Sequence, residues 1–191
     1  MDRDLVIERS RAQLPLLKIN PGAVVRVKVL PVGPAWFTVH WVGKRQVLCA
    51  ARGESGCMAC GVAPGRVVGF VLVTTLLVEK ERLFLLEVSP LALNSLEMSA
   101  QFEGISTNAS VWCDVSRHGA RRPLRFEAVE ESRYDCPQEA ATVRLMNAVA
   151  VLYGLPLMIV GECVSSWEER VAATVASFAE RAVLTSGISS V

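Results

Sequence analysis

One of the chain's two histidines and three of its six cysteines lie between residues 40 and 61. This segment reads HWVGKRQVLCAARGESGCMACG and ends in a Cys-x-x-Cys motif. Imidazole and thiolate are the ligands of structural zinc sites, which bind the ion with four side chains in a tetrahedron. The residue types therefore predict a metal site, provided that the fold brings four such side chains together.

Two strand-like runs flank Gly43 and Lys44, and this pattern predicts a β-hairpin with a two-residue turn. In that register His40 pairs with Val47, so Cys49 lies on the same face of the hairpin, diagonal to His40. The Cβ atoms of such diagonal residues are roughly 7 Å apart, which suits two ligands of one ion. A three-residue turn would move Cys49 to the other face.

Cys57 and Cys60 follow a loop that contains glycine and serine, and they can fold back as a knuckle onto the hairpin. The predicted zinc ligands are His40, Cys49, Cys57 and Cys60. Four protein ligands leave no open position for a substrate or an activated water, so the sequence favours a structural Zn²⁺ that holds the loop in place.

Two other interpretations of the motif remain open. The first is a reduced Cys-x-x-Cys pair with a buried Cys49 and an unrelated surface histidine. The second is a redox pair, which the sequence disfavours because Gly56 and Gly61 flank the motif as in a loop, not a helix N-terminus. A zinc deaminase is disfavoured too, because the chain lacks the His-x-Glu and Pro-Cys-x-x-Cys motifs of that class.

Aromatic residues and cations surround the motif and recur in a second predicted hairpin near residues 117–125. Bases stack on aromatic faces at roughly 1–3 kcal/mol each, while arginine and lysine follow the phosphates of a single strand. The candidate nucleic-acid contacts are Trp36, Trp41, Lys44, Arg45, Trp112, Arg117, Arg121, Arg122 and Arg125. The alternative is that the aromatic residues fill the core and the arginines are a solvated hairpin tip.

The chain has 191 residues, a net charge of +1 and a mean hydropathy of +0.35. The charge excludes a globally basic nucleic-acid binder but allows a local basic groove. Residues 67–78 are too short to span a membrane, and Asn147, Gly154 and Pro156 interrupt residues 145–160. The charged N-terminus has no apolar signal region, so we expect a cytoplasmic protein, nucleoid-associated if bacterial or phage, and no membrane partner.

Apolar residues alternate with a period of two between residues 23 and 135, apart from a serine-capped helix predicted over 89–102. The period becomes helical after residue 135, which predicts a helix up to Tyr153 and a last helix from the SSWEE sequence onward. The predicted fold is mainly β with helices (α+β), an OB-like antiparallel barrel with a zinc hairpin. The predicted domains are a lead segment (1–22), a barrel (23–135) with the zinc loop, and two C-terminal helices (136–191) packed on it.

These features resemble the single-stranded DNA-binding proteins of T-even bacteriophages. The resemblance covers roughly residues 23–130 and rests on VKVLP, the histidine strand, the Cys-x-x-Cys motif, FLLEVSPLALNSL and CDVSRHGA, in that order. It implies an OB-fold core, zinc on the four predicted ligands, and a DNA groove lined by aromatic and basic residues. The ligand spacing is shorter than in that family, and an acidic C-terminal tail is absent from this sequence.

The leading hypothesis is a non-catalytic protein that binds single-stranded DNA, or RNA, with low sequence specificity, in replication, repair or recombination. The alternative is a protein-interaction subunit in which zinc only stabilises the hairpin and which does not bind nucleic acid. Such a subunit would bind a partner, or a second copy of itself, through the C-terminal helices. An enzyme is disfavoured because no nucleophile elbow, glycine-rich phosphate loop or paired-carboxylate motif stands out.

Overall fold

The structure is a computed structural model that describes residues 12–43, 45–49, 57–77, 80–106, 109–120, 122–132, 138–159 and 161–186. The strands within these ranges are β1 (Val24–Val29), β2 (Ala35–Val42), β3 (Arg45–Leu48), β4 (Gly65–Leu77), β5 (Lys80–Val88), β6 (Ser110–Ser116) and β7 (Arg125–Ser132). The α-helices are α1 (Pro90–Phe102), α2 (Gln138–Tyr153) and α3 (Val164–Ser186), and a short 3-10 helix spans Met58–Gly61.

The seven strands form one sheet in the order β3-β2-β4-β1-β6-β7, with β5 paired to β4. The β1–β4, β1–β6, β2–β3, β4–β5 and β6–β7 pairs are antiparallel. In the part of the chain that the structure describes, no strand pair joins β3 to β7, so the sheet is open. The predicted α+β class with an antiparallel sheet is confirmed, and closure into an OB-like barrel stays a prediction.

The chain divides into two compact units. The hairpin unit comprises Met1–Gln13, Trp36–Val68 and Met146–Val191, and the sheet unit comprises Leu14–Ala35 and Gly69–Leu145. Over the described residues, no helix is both long and apolar enough to cross a membrane.

The core of the sheet unit follows from the alternating pattern of its strands. Val27 and Val29 of β1 are buried beside Cys113 and Val115 of β6. One face of α1 covers this layer with Ala92, Leu96 and Ala100. Each fully buried valine or leucine side chain contributes roughly 1.5–3 kcal/mol, so this apolar layer is the main stabilising feature of the unit.

The predicted helix over residues 89–102 is confirmed, and its start has a local cause. Pro90 occupies the first turn, where a missing N–H has no cost, and the Ser89 hydroxyl accepts a hydrogen bond from Ala92 N at 3.2 Å. Helix α1 also covers the outer edge of β7, where Ser95 Oγ accepts from Phe126 N at 3.1 Å. Ser99 Oγ accepts from Ala128 N at 2.9 Å in the same way. These two serines cap backbone donors that an edge strand would otherwise leave free.

The hairpin unit has a small apolar cluster made of Val42, Val47, Cys57 and Ala59. Helix α3 packs against β3 and the 3-10 helix, with Trp167 fully buried and its Nε1–H donating to Pro156 O at 2.9 Å. The predicted end of α2 at Tyr153 is confirmed, since Gly154 follows with a φ of 69°. Helix α3 begins at Val164, one residue before the predicted SSWEE start.

Candidate metal centre

The β2–β3 hairpin positions two of the predicted ligands. Val42 pairs with Arg45 across a two-residue turn that begins with Gly43 at a φ of 61°. A positive φ at the first turn residue is what a type I′ or II′ hairpin turn requires, and glycine adopts it without strain. His40 pairs with Val47, as the sequence predicts. The register of the predicted hairpin is therefore confirmed.

The ladder continues beyond β3, because Cys49 N donates to Thr38 O at 2.7 Å. This bond places Cys49 opposite Thr38 and diagonal to His40, on the same face of the hairpin. The side chain of His40 is almost fully buried, at 1% exposure, while Cys49 is half-buried. The hairpin thus presents one imidazole and one thiol side by side.

The Cys-x-x-Cys motif supplies the other two ligands from a tight turn. Cys57 immediately precedes the 3-10 helix, and Cys60 N donates back to Cys57 O at 2.9 Å. Ala59, between them, is completely buried and anchors the turn in the apolar cluster of the hairpin unit. The turn therefore directs both sulfurs toward the hairpin.

The four predicted ligands come together, with one ligand atom from each of His40, Cys49, Cys57 and Cys60 within 4.8 Å of the others. Cys49 Sγ lies 3.6 Å from Cys60 Sγ, and Cys60 Sγ lies 3.5 Å from His40 Nε2. Thiolates at about 2.3 Å and an imidazole nitrogen at about 2.0 Å from one tetrahedral ion would be roughly 3.5–3.8 Å apart. The geometry of the group is compatible with a bound metal ion.

A backbone carbonyl and a glycine fix the orientation of the His40 imidazole. His40 Nδ1 lies 2.9 Å from Ala63 O, and a carbonyl only accepts, so Nδ1 carries the proton and Nε2 keeps its lone pair for a metal. Gly65 lies against the ring, and a Cβ there would be 3.2 Å from His40 Cε1. Such outer contacts of a ligating histidine fix its tautomer and its direction.

The Cys60 thiol would resist ionisation without a cation. Loss of hydration, and after it the hydrogen bond and charge of the neighbouring Cys49, together raise the pKa of Cys60 to about 11. Since thiolate is the form that binds a metal, binding must displace protons from these sulfurs. Metal affinity should therefore fall as the pH is lowered.

The described nucleic-acid candidates of the hairpin unit, Trp36, Trp41 and Arg45, are exposed. Trp41 is 57% and Trp36 40% exposed, and Arg45 lies exposed at the turn. The two tryptophans are five residues apart on β2, so they project from opposite faces of the strand. Lys44 lies outside the described residues.

The candidates of the sheet unit differ from one another. Trp112 is half-buried, and Arg117 is half-buried with its Nε shielded from solvent and without a hydrogen-bond partner in the described part of the chain. Arg122 is exposed, and Arg125 is exposed and paired with Glu127 at 3.5 Å. Arg121 lies outside the described residues.

Sequence reasoning missed a buried cation on β1. Lys28 is 8% exposed, its Nζ lies 5.3 Å from the centre of the Trp112 ring, and it donates to Glu81 at 2.6 Å. Its strand neighbour Arg26 makes a bidentate pair with Asp114. The period-two pattern places both cations on one face of β1, but only the fold shows that carboxylates neutralise them.

A scan against protein-family models and searches of curated proteins and of solved structures found no match.

Proposed function

We propose that this chain is a non-catalytic protein in which a structural Zn²⁺ fixes the β2–β3 hairpin and the Cys-x-x-Cys turn, and that the fixed hairpin binds single-stranded DNA with low sequence specificity. The observation that carries the proposal is the convergence of four zinc-type ligand atoms within 4.8 Å, beneath a hairpin with two exposed tryptophans.

The ligand chemistry supports zinc and a structural role. One imidazole and three thiolates form a closed tetrahedral set, which leaves no site for a substrate. The apolar cluster beneath the hairpin contains only four buried residues among those described, two of them valines. Ordering the turn costs about 1–2 kcal/mol of conformational entropy per residue, and burial of so small a cluster offsets little of this cost. A bound metal would supply the remaining stabilisation.

The hairpin unit is the better candidate for the DNA contact. Exposed tryptophan is uncommon on a protein surface, and Trp36 and Trp41 can each stack with a base. Arg45 is exposed at the turn and has no ion-pair partner among the described residues, whereas carboxylates pair with Arg26, Lys28 and Arg125 of the sheet unit. A bound strand would pass around the edge of β3, because the two tryptophans lie on opposite faces. The resemblance to the phage proteins agrees with this proposal and adds an OB-like barrel to it.

The zinc site is tested by metal analysis of the purified protein and of two cysteine variants. We expect one zinc per chain, which Cys57→Ser abolishes and Cys113→Ser retains, because Cys113 lies in the core of the sheet unit. Absence of stoichiometric zinc from protein purified without chelators would overturn the site.

DNA binding is tested by the anisotropy of a labelled oligo-dT strand and of a matching duplex, at low and moderate salt. We expect tighter, salt-sensitive binding to the single strand, and a roughly tenfold loss on Trp41→Ala or Arg45→Ala. Phe102→Ala is the matched control, because that ring is 89% exposed but belongs to the sheet unit. Equal affinity for all these proteins would exclude the hairpin as the DNA contact.

A second candidate function is a protein-interaction subunit, which an exposed row of apolar residues on α1 favours. Leu91, Met98 and Phe102 are 71%, 64% and 89% exposed. By contrast, the apolar stripe of α3 is buried inside the hairpin unit at Trp167, Val171 and Val175. No binding to either DNA at low salt would favour this second function.

A further inference from the structure

We propose that the outer face of α1, together with the adjoining edge strand β7, is a docking surface for a basic amphipathic helix of another protein. The acidic stripe is our name for this surface. It consists of an apolar row (Leu91, Met98, Phe102) and three carboxylates (Glu97, Glu103, Glu131), all on α1, on the residue after it or on β7.

The apolar row follows the geometry of the helix. Its members are seven and four residues apart, so they lie on one side of α1 over about 16 Å, or three turns. At 71%, 64% and 89% exposure they present roughly 400 Å² of apolar surface. A contiguous patch of that size is at the upper end for a monomer and marks a binding surface in many proteins.

The outward direction of this row is fixed by the other sides of the helix. Ala92, Leu96 and Ala100 are buried against the sheet. The Ser95 and Ser99 hydroxyls hold β7 by accepting from its backbone N–H groups. Helix α1 therefore cannot turn the apolar row inward without breaking both its core contacts and these hydrogen bonds.

Among the residues that the structure describes on α1 and on the face of β7 that α1 covers, the charged side chains are carboxylates. Glu97 and Glu103 are exposed on α1 and just after it, and Glu131 pairs with the buried Val111, which places it on the face of β7 that α1 covers. Glu127 and Glu130 lie on the other face of the same strand, where Arg125 and Arg26 are their neighbours, so they are not part of this surface. The one cation of these elements, Arg125, is already paired with Glu127.

The position of the carboxylates relative to the row follows from the serine contacts. Ser95 and Ser99 are four residues apart and bond to strand residues two apart, so helix and strand run in the same direction with matched rises of about 6 Å. Because α1 and β7 run side by side in the same direction, Phe102 and Glu103 at the end of α1 lie beside the end of β7. The most exposed aromatic ring is thus at the acidic end of the surface.

The combination of an apolar row with carboxylates indicates which kind of partner fits this surface. A helix with leucine-type side chains on one face and lysine or arginine beside them matches both the apolar row and the carboxylates. A second copy of the chain does not match, because a two-fold contact would oppose one set of carboxylates with the other. The area is also about half of the roughly 800 Å² per partner that a standard stable interface buries. The same negative charge repels DNA, so this surface is separate from the proposed DNA contact.

The test uses the full chain with zinc and two labelled synthetic peptides of about 18 residues, one of leucine and lysine in a helical amphipathic pattern and one with glutamate in place of lysine. We expect saturable anisotropy changes with the lysine peptide only. Phe102→Ser and Met98→Ser should each weaken its binding at least about tenfold. Ile159→Ser, a side chain as exposed as Met98, is the matched control and should change nothing.

Charge reversal separates docking from general attraction of a cationic peptide. The double variant Glu103→Lys/Glu131→Lys should lose the lysine peptide and gain the glutamate peptide, whereas Glu139→Lys at the start of α2 should do neither. Unsaturable binding, equal binding of both peptides, or equal effects of the two charge variants would overturn the proposal. So would a dimer in sedimentation velocity that Phe102→Ser dissociates, since that result makes the second copy the occupant.

Discussion

Replacement of Gly65 by alanine should weaken zinc binding although residue 65 is not a ligand. A Cβ at this position would lie 2.8 Å from Thr38 Cγ2, 3.2 Å from His40 Cε1 and 3.8 Å from His40 Nδ1. The first distance is shorter than any ordinary carbon–carbon contact, and the second is tight, so Thr38 and His40 must both move.

The size of the effect follows from what each movement disturbs. An extra methyl group in a well-packed site costs about 1–3 kcal/mol, and an off-rotamer side chain costs about 0.5–1.5 kcal/mol. Displacement of the imidazole also lengthens its hydrogen bond to Ala63 O, now 2.9 Å, which fixes the tautomer that leaves Nε2 free. Loss of such an outer contact typically costs tenfold to hundredfold in metal affinity, which corresponds to about 1.4–2.7 kcal/mol. We therefore expect a tenfold to hundredfold increase in the zinc dissociation constant.

The assay is competition for Zn²⁺ with a chromophoric chelator at fixed pH. Gly61→Ala is the matched control, because Gly61 follows Cys60 directly and a Cβ there would meet no atom within 4 Å. The double variant Thr38→Ser/Gly65→Ala removes the threonine methyl and so isolates the contact with the ring. We expect it to recover only part of the lost affinity.

Equal zinc affinity of Gly65→Ala and Gly61→Ala would refute this reasoning, because a displaced imidazole could not then be a ligand. Full recovery in the double variant would show that Thr38 alone carries the effect and that the ring is free to shift.

Two further predictions concern other titratable groups. Hydrogen bonds from the Ser165 and Ser166 hydroxyls lower the pKa of Cys163 from 9.0 to about 7, so its iodoacetamide rate should rise through about pH 7. Cys113, whose pKa burial raises to about 12, should stay unmodified in the folded protein, and peptide mass spectrometry distinguishes the two sites. Because the Cys163 pKa is lower in the folded state, its contribution to stability is present above pH 9 and is lost as the pH falls through 7. Glu81→Gln should lower the free energy of unfolding by about 1–3 kcal/mol in urea titrations, because the buried Lys28 loses its charge partner. Glu127→Gln, in an exposed pair 61% accessible on both sides, should cost no more than about 0.5 kcal/mol, and equal losses would contradict the burial argument.

The ligand set could be predicted from the sequence because its geometry is local. A two-residue turn at Gly43 fixes the register, and the register alone places His40 diagonal to Cys49. The start of α1 is equally local, since Ser89 and Pro90 define it without any contact from elsewhere.

Other features depend on contacts between distant segments. Nothing in the sequence around Lys28 indicates that Glu81, fifty-three residues later, pairs with it and that Trp112 lies beneath it. For the same reason the carbonyl of Ala63 and the bare backbone of Gly65 were not recognisable as supports of His40. Side-chain burial on a polar strand face is decided by what packs on that face, which periodicity does not report.

The distribution of free and neutralised charge separates two surfaces of this nearly neutral chain. In the sheet unit, carboxylates pair with Arg26, Lys28 and Arg125, whereas Arg122 is exposed, so only part of the positive charge of this unit is neutralised. At the hairpin, Arg45 is exposed close to Trp41, and Trp36 is exposed farther along β2. On α1 and β7 the described charges are mostly negative. A net charge of +1 is therefore compatible with the two proposed preferences, phosphate at the hairpin and basic protein at the acidic stripe, and we expect substitutions at one surface to leave the other intact.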